Sequence, residues 1–303
     1  MEQLIIKLIP LYIFMFIGYW AARTLQLDKK SISGLVIYFI TPVIVFYGTA
    51  SMKFSADVVI LPLLAYLCFT LSWLFAKYIC RYFGLKKYES VIWLLWWNGN
   101  TGYYGIPFII AIMGNEYFPH AVLVWLWALL FENTFGMYFL ARSGFTSKQA
   151  IRKVLSMPTI YGFLIGLLVS ILWVHFSEGI QSVFDMYKNA YIVVWMMIIW
   201  IGLYREESGH IDIKLMIFNL IQKFVTMPII FALIIFSLSI IYPSLKQYQL
   251  LYFLISIVPM AAGTISLAIE FKQDVYQTAV NVIVSTLLSL PIAFGVLYYI
   301  LHY

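Results

Sequence analysis

The apolar residues of this chain fall into ten runs, each about as long as a bilayer is thick, and this spacing limits the fold more than any other feature. A hydrocarbon core of ~30 Å takes ~20 helical residues. The runs cover residues 4–22, 32–49, 59–79, 91–113, 119–141, 157–176, 190–204, 217–242, 248–269 and 275–301. With 63% hydrophobic residues, 11% charged residues and a mean hydropathy of +0.92, against ~25% charged in a soluble domain, a soluble fold is excluded. The expected fold class is an all-α integral membrane protein of ten transmembrane helices, one domain over 1–303. The first run lacks a basic leader and a small-residue cleavage site, so it reads as a retained span.

Basic residues sort by loop. The odd-numbered loops hold Arg23, Lys29, Lys30, Lys77, Arg81, Lys86, Lys87, Arg142, Lys148, Arg152, Lys153, Arg205, Lys214 and Lys272, whereas the even-numbered loops hold Lys53, Lys188 and Lys246. The positive-inside rule then makes the odd loops cytoplasmic and puts both termini on the non-cytoplasmic side. Orientation also accounts for the formal charge of +6, without an acidic partner or nucleic acid. Cys68 and Cys80 fall in or beside the third run, as expected of small buried residues.

The fourth run contains its own interruption. From Asn98 to Pro107 it reads Asn-Gly-Asn-Thr-Gly-Tyr-Tyr-Gly-Ile-Pro, and each interior Gly costs about 1 kcal/mol against Ala and Pro about 3. Backbone freed from a helix at membrane depth survives only where protein or a polar cavity satisfies it. Interrupted spans therefore point to binding sites.

A weak internal repeat extends this reading. A shift of 158 residues pairs Gly105 with Gly263, Ala121 with Ala279 and Val122 with Val280; a shift of 148 pairs Pro10 with Pro158 and Gly18 with Gly166. Two halves of five spans, 1–142 and 157–303, would then insert with opposite topology. Such inverted repeats mark secondary transporters. The ninth run should be broken where the fourth is, and there stands Val258-Pro-Met-Ala-Ala-Gly-Thr264. Crossed breaks at Pro107 and Pro259 would gather half-helix ends whose N-terminal N–H groups suit an anion.

These residues resemble the auxin efflux carrier family. The resemblance rests on the fourth-run motif followed by Met-Gly-Asn, on Pro259 to Ala268 with Glu-Phe-Lys-Gln-Asp after it, on Val-Ser-Thr-Leu-Leu-Ser-Leu-Pro291, and on the Thr41-Pro42 step. It implies a scaffold and a mobile domain with crossed fourth and ninth helices, carrying an organic anion such as malate, malonate or an auxin-like acid. The chain departs from the family at Ala262, Gly263 and Thr264, where an asparagine is common, and at Trp195-Met-Met, where a proline is expected.

The candidate substrate-binding residues are Asn98, Asn100, Thr101, Gly102, Tyr103, Gly105, Gly263, Thr264 and Ser266, with Pro107 and Pro259 as helix breaks. Amides and hydroxyls can donate to a carboxylate without the desolvation cost of a fixed charge. Glu132 sits near the middle of the fifth run, where an ionised acid facing lipid would cost about 2.5–3.5 kcal/mol. It is expected to face protein or water, either as a proton carrier or as a structural partner. Lys223 is expected to snorkel towards the headgroups, and residues 211–224 to form an amphipathic anchor at the interface. The tryptophans, Trp125 and Trp195 among them, are read as partly forming interfacial belts, so that none is singled out as a ligand.

The four histidines lie far apart without metal-ligand spacing, so no metal or cofactor is expected. No Walker-type phosphate loop and no nucleophile set is present either, so the chain does not read as an enzyme. A multi-pass carrier in the cell membrane fits best, with a homodimer compatible. The alternatives are a receptor on the same scaffold, or a cation-coupled carrier of another small solute.

Overall fold

The computed structural model describes residues 2–51, 56–85, 88–96, 99–132, 136–142, 146–201 and 211–302. Helices account for nearly all of it, and no strand occurs among the described residues. Four of these helices are long and apolar enough to cross a membrane: Lys30–Ala50, Leu63–Tyr82, Ile213–Ile241 and Val275–Val296. The chain is a membrane-embedded, multi-pass helical protein. Leu233, Phe236, Ile240 and Ile241 stand exposed on one of these helices. In water they would form an apolar patch, whereas hydrocarbon is their natural solvent.

Several other apolar runs fall short of that length for reasons written in the sequence. The fourth gives Glu89–Trp96, then a π-helical turn Thr101–Gly105 leading into Ile106–Met113. The ninth gives Gln249–Ser256 and, after a gap, Gly263–Glu270. Each half-helix is too short to span alone.

Two boundaries differ from the hydropathy reading. The helix Glu178–Ile201 begins a dozen residues before the apolar run at 190, because its first turns mix polar residues with exposed apolar ones and carry an Asp185–Lys188 pair at 2.7 Å. Hydropathy marks where a helix is apolar and is blind to where it starts. Residues 211–224 do not form a separate interfacial anchor. Asp212 accepts from Leu215 N–H at 3.0 Å and caps the helix, which continues through the π-helical stretch Gln222–Thr226 to Ile241.

Two helix pairs pack at close range through glycine. Pro158–Ile171 runs along Thr41–Ala50, and Glu2–Leu25 along Glu178–Ile201. A Cβ at Gly166 would lie 2.5 Å from Phe46 O, and one at Gly18 would lie 2.4 Å from Met197 O. Small residues let membrane helices approach until backbones touch, and the gain is dispersion energy. Phe46, Tyr47, Phe176 and Phe184 close one end of the first pair, with Tyr47 stacked on Phe184 at 4.2 Å. The most deeply buried core, including Leu95, Phe108, Val258, Met260 and Ile265, surrounds the breaks.

Candidate binding site at the crossed breaks

The two interruptions meet and satisfy one another. Gly99 and Met260 form an isolated antiparallel bridge, and Asn100 N–H donates to Pro259 O at 2.7 Å. Met260 N–H donates to Ser285 Oγ at 3.1 Å. Gly105 N–H returns to Asn100 O at 2.9 Å, and Thr101 N–H to Gly99 O at 2.7 Å. Unwound backbone at membrane depth thus finds its partners within the protein, as a water-poor environment demands.

A cavity of about 40 Å³ opens beside this crossing, lined by Gly99 to Gly102 from one break and Ala261 to Gly263 from the other. By the measure that one water needs ~10–15 Å³ it holds about three. Glu132 closes one wall, with Trp125, Tyr191 and Trp195 completing it. Asn100, Thr101 and Glu132 are all buried. Glu132 lies against the start of the helix Gly263–Glu270: a Cβ on Gly263 would sit 2.9 Å from Glu132 Oε1. A helix N-terminus carries partial positive charge, which suits a carboxylate, whether from a side chain or a ligand.

The sequence candidates separate into groups. Asn100, Thr101, Gly102 and Gly263 line the cavity with Glu132. Gly102 packs so closely under Trp125 that a Cβ would lie 2.3 Å from its Nε1. Gly105 serves the crossing, where a Cβ would meet Val258 Cγ1 at 3.3 Å. Pro107 occupies the first turn of Ile106–Met113, where a missing N–H costs little, and Pro259 lends its carbonyl to Asn100. Thr264 Oγ1 donates to Ala261 O at 2.6 Å, and Ser266 Oγ to Ser33 Oγ at 3.0 Å. Both are buried away from the cavity lining. Asn98 and the side chain of Tyr103 lie outside the described residues.

Lys223 departs from its expected place. Only 3% of it is exposed, and its amine sits behind Gly99, where a Cβ would lie 2.9 Å from Nζ. It does not snorkel.

Hydropathy alone singles out neither Trp125 nor Trp195, yet both line the cavity. A signal was available. Trp125, Ala128, Leu129 and Glu132 follow the i, i+3, i+4, i+7 spacing of one helix face, and Tyr191 and Trp195 are one turn apart.

Residues 3–143 match the model of a family described as membrane transport protein, to which the auxin efflux carriers are alike. The resemblance drawn from the fourth-run motif is supported over that half of the chain. No curated protein matches it.

Proposed function

We propose, from the match of residues 3–143 to the membrane transport protein family, that this chain carries a small organic anion across the cell membrane by alternating access, secondary active or facilitative. The binding site would be the crossing of the two breaks. One observation carries the proposal: the cavity at that crossing joins Asn100 and Thr101 of one break to Gly263 of the other. Amide, hydroxyl and helix N-terminus all complement a carboxylate. Motif chemistry of the sort that defines hydrolases is not needed to account for any of these residues.

The two glycine-packed helix pairs would form the fixed scaffold, and the helices that carry the breaks would move against it in an elevator manner. Equivalent contacts support the inverted repeat that this motion requires. Gly18 and Gly166, paired by the 148-residue shift, each stand at a backbone contact of their helix pair, where a Cβ would lie 2.4 Å from Met197 O and 2.5 Å from Phe46 O. In the five-plus-five scheme, a first-to-seventh contact is the mate of a sixth-to-second one. The cavity lies between the crossing and Tyr191 and Trp195 of the scaffold helix, which is where such a motion would open and close a path. An incoming carboxylate and an ionised Glu132 would repel strongly in so small a space. Anion and proton would therefore enter together, with Glu132 as proton acceptor.

Uptake of labelled malate, malonate and indole-3-acetate into proteoliposomes, with and without a pH gradient, tests this reading. Saturable uptake that is lost in Asn100→Ala is the expected result, with gradient dependence lost in Glu132→Gln. Absence of uptake of any of these acids by folded protein would overturn it.

A further inference from the structure

Lys223 is the charged group that the cavity does not use. Its side chain is buried within the π-helical stretch Gln222–Thr226 of the helix Ile213–Ile241, and such local π geometry recurs at functional sites. Among the described residues its amine has one hydrogen-bond partner, Met227 Sδ at 3.3 Å. A thioether is a weak acceptor for a group with three donors. A lysine kept at that depth without a carboxylate is costly unless its surroundings are negative in another way.

The amine lies against Gly99 and is neighboured there by the Val258 side chain, since a Cβ on Gly99 would meet Val258 Cγ2 at 2.7 Å and Lys223 Nζ at 2.9 Å. Gly99 lies three residues beyond Glu89–Trp96 and Val258 two beyond Gln249–Ser256, so the amine stands on the C-terminal side of both half-helices, the side to which their dipoles turn a negative end. On the same helix as Lys223, Asn219 Oδ1 and Gln222 Oε1 are buried without a hydrogen-bond partner among the described residues, and neither is bonded by the Lys223 amine. Unwound carbonyls and C-terminal half-helix ends are what carriers of this kind use to hold a coupling cation.

We propose that Lys223 is a tethered counter-cation of the crossing: its ammonium fills the position that a monovalent metal cation would otherwise take, so the protein works without sodium. The proposal rests on the carrier reading above but is tested apart from it.

The test is the melting temperature of purified, detergent-solubilised protein, in choline chloride, sodium chloride, propylammonium chloride and propanol. Propylammonium is the fragment that Lys223→Ala removes, and propanol is its uncharged counterpart. The wild type is expected to melt at the same temperature in sodium and in choline. Lys223→Ala and Lys223→Met are expected to melt about 5 °C lower or more, with Lys223→Ala restored by propylammonium and not by propanol. Lys223→Arg, which keeps the charge, stays near the wild type. Saturable stabilisation of the wild type by sodium, or a Lys223→Met protein as stable as the wild type, would overturn the proposal. Should the neutral variants not fold, the wild type and Lys223→Arg in sodium and choline decide the matter.

Uptake separates the two readings. If none of the acids is transported, the melting series still decides the role of Lys223. If an acid is transported only with a sodium gradient, the counter-cation is refuted and the carrier stands.

Discussion

Glu132 Oε1 faces Gly263 across the two halves of the chain, so closely that a Cβ on Gly263 would lie 2.9 Å from the oxygen. The contact joins the buried acid of the fifth apolar run to the first turn of the half-helix Gly263–Glu270. Trp195 stands next in line, with its ring edge 3.6 Å from that Cβ position. A methyl group there must displace the carboxylate from its place beside the cavity.

Gly263→Ala should therefore lower uptake by about tenfold or more while the protein stays folded, a loss of ~1.4 kcal/mol in binding or turnover. Glu132→Ala should also lower it. The double variant should lose less than the product of the two, because both changes act through one contact. A double-mutant cycle on uptake rates measures this. Independent, multiplicative losses would separate Gly263 from Glu132.

Gly102 packs against the same wall two helical turns away, at Trp125. Its added Cβ would meet three atoms of the Trp125 indole at 2.3 to 2.8 Å, and an indole cannot yield as a flexible chain end can. Gly102→Ala should displace Trp125 and raise the half-saturating substrate concentration several-fold, and Trp125→Phe in the same chain should recover part of the loss. Concentration series of uptake for the single and double variants test it.

How much of this was legible in the sequence depends on what each residue interacts with. The breaks were readable because Gly and Pro act locally, on their own helix: the run from Asn98 to Pro107 and the Val258–Thr264 stretch announce interruptions. Hydropathy marked the apolar runs, four of which lie in helices long enough to span, but it misplaced the start of Glu178–Ile201, whose first turns mix polar and apolar residues. The placement of Lys223 was hidden for a different reason. Snorkelling and burial demand the same residue type in the same register, and only the packing of another span against the amine separates them. Ser266 was a plausible ligand on chemistry alone, until Ser33 from a distant helix supplied its partner.

Ser266 gives a prediction from that contact. Its hydroxyl bonds Ser33 in the buried interface between Gly263–Glu270 and Lys29–Leu35. Ser266→Ala should cost about 1 kcal/mol of stability, the net worth of one such hydrogen bond, and leave the half-saturating concentration unchanged. Melting curves and uptake on the same preparation separate these effects. Weaker substrate binding at unchanged stability would return Ser266 to the site.

The helix pairs make a graded set. Gly166→Ala would bring a methyl to 2.5 Å from Phe46 O and 3.0 Å from Thr49 Cβ, whereas Gly34 and Gly295 have nothing within 4 Å of the same position. The first change should destabilise by about 1–3 kcal/mol, the usual cost of overpacking. The other two fill open space on helices, where Ala is favoured by about 1 kcal/mol. Thermal melting of the three variants should show one fall against two small rises. Equal shifts would mean that the Thr41–Ala50 and Pro158–Ile171 helices are not held at backbone contact.

Sidedness follows from the basic-residue count and can be read by chemistry. Ser177 is exposed just before the helix Glu178–Ile201, and Lys272 is exposed between Gly263–Glu270 and Val275–His302. In the proposed arrangement the first faces outside and the second faces the cytoplasm, where basic residues concentrate. The native thiols form a silent background, since Cys68 and Cys80 are both buried and free. An impermeant thiol reagent added to intact cells should label Ser177→Cys and spare Lys272→Cys, and permeabilisation should reverse the protection of the second. Labelling of Lys272→Cys in intact cells would invert the orientation. Labelling of both would place Ser177 and Lys272 on the same side, and the alternation of spans between them would have to be redrawn.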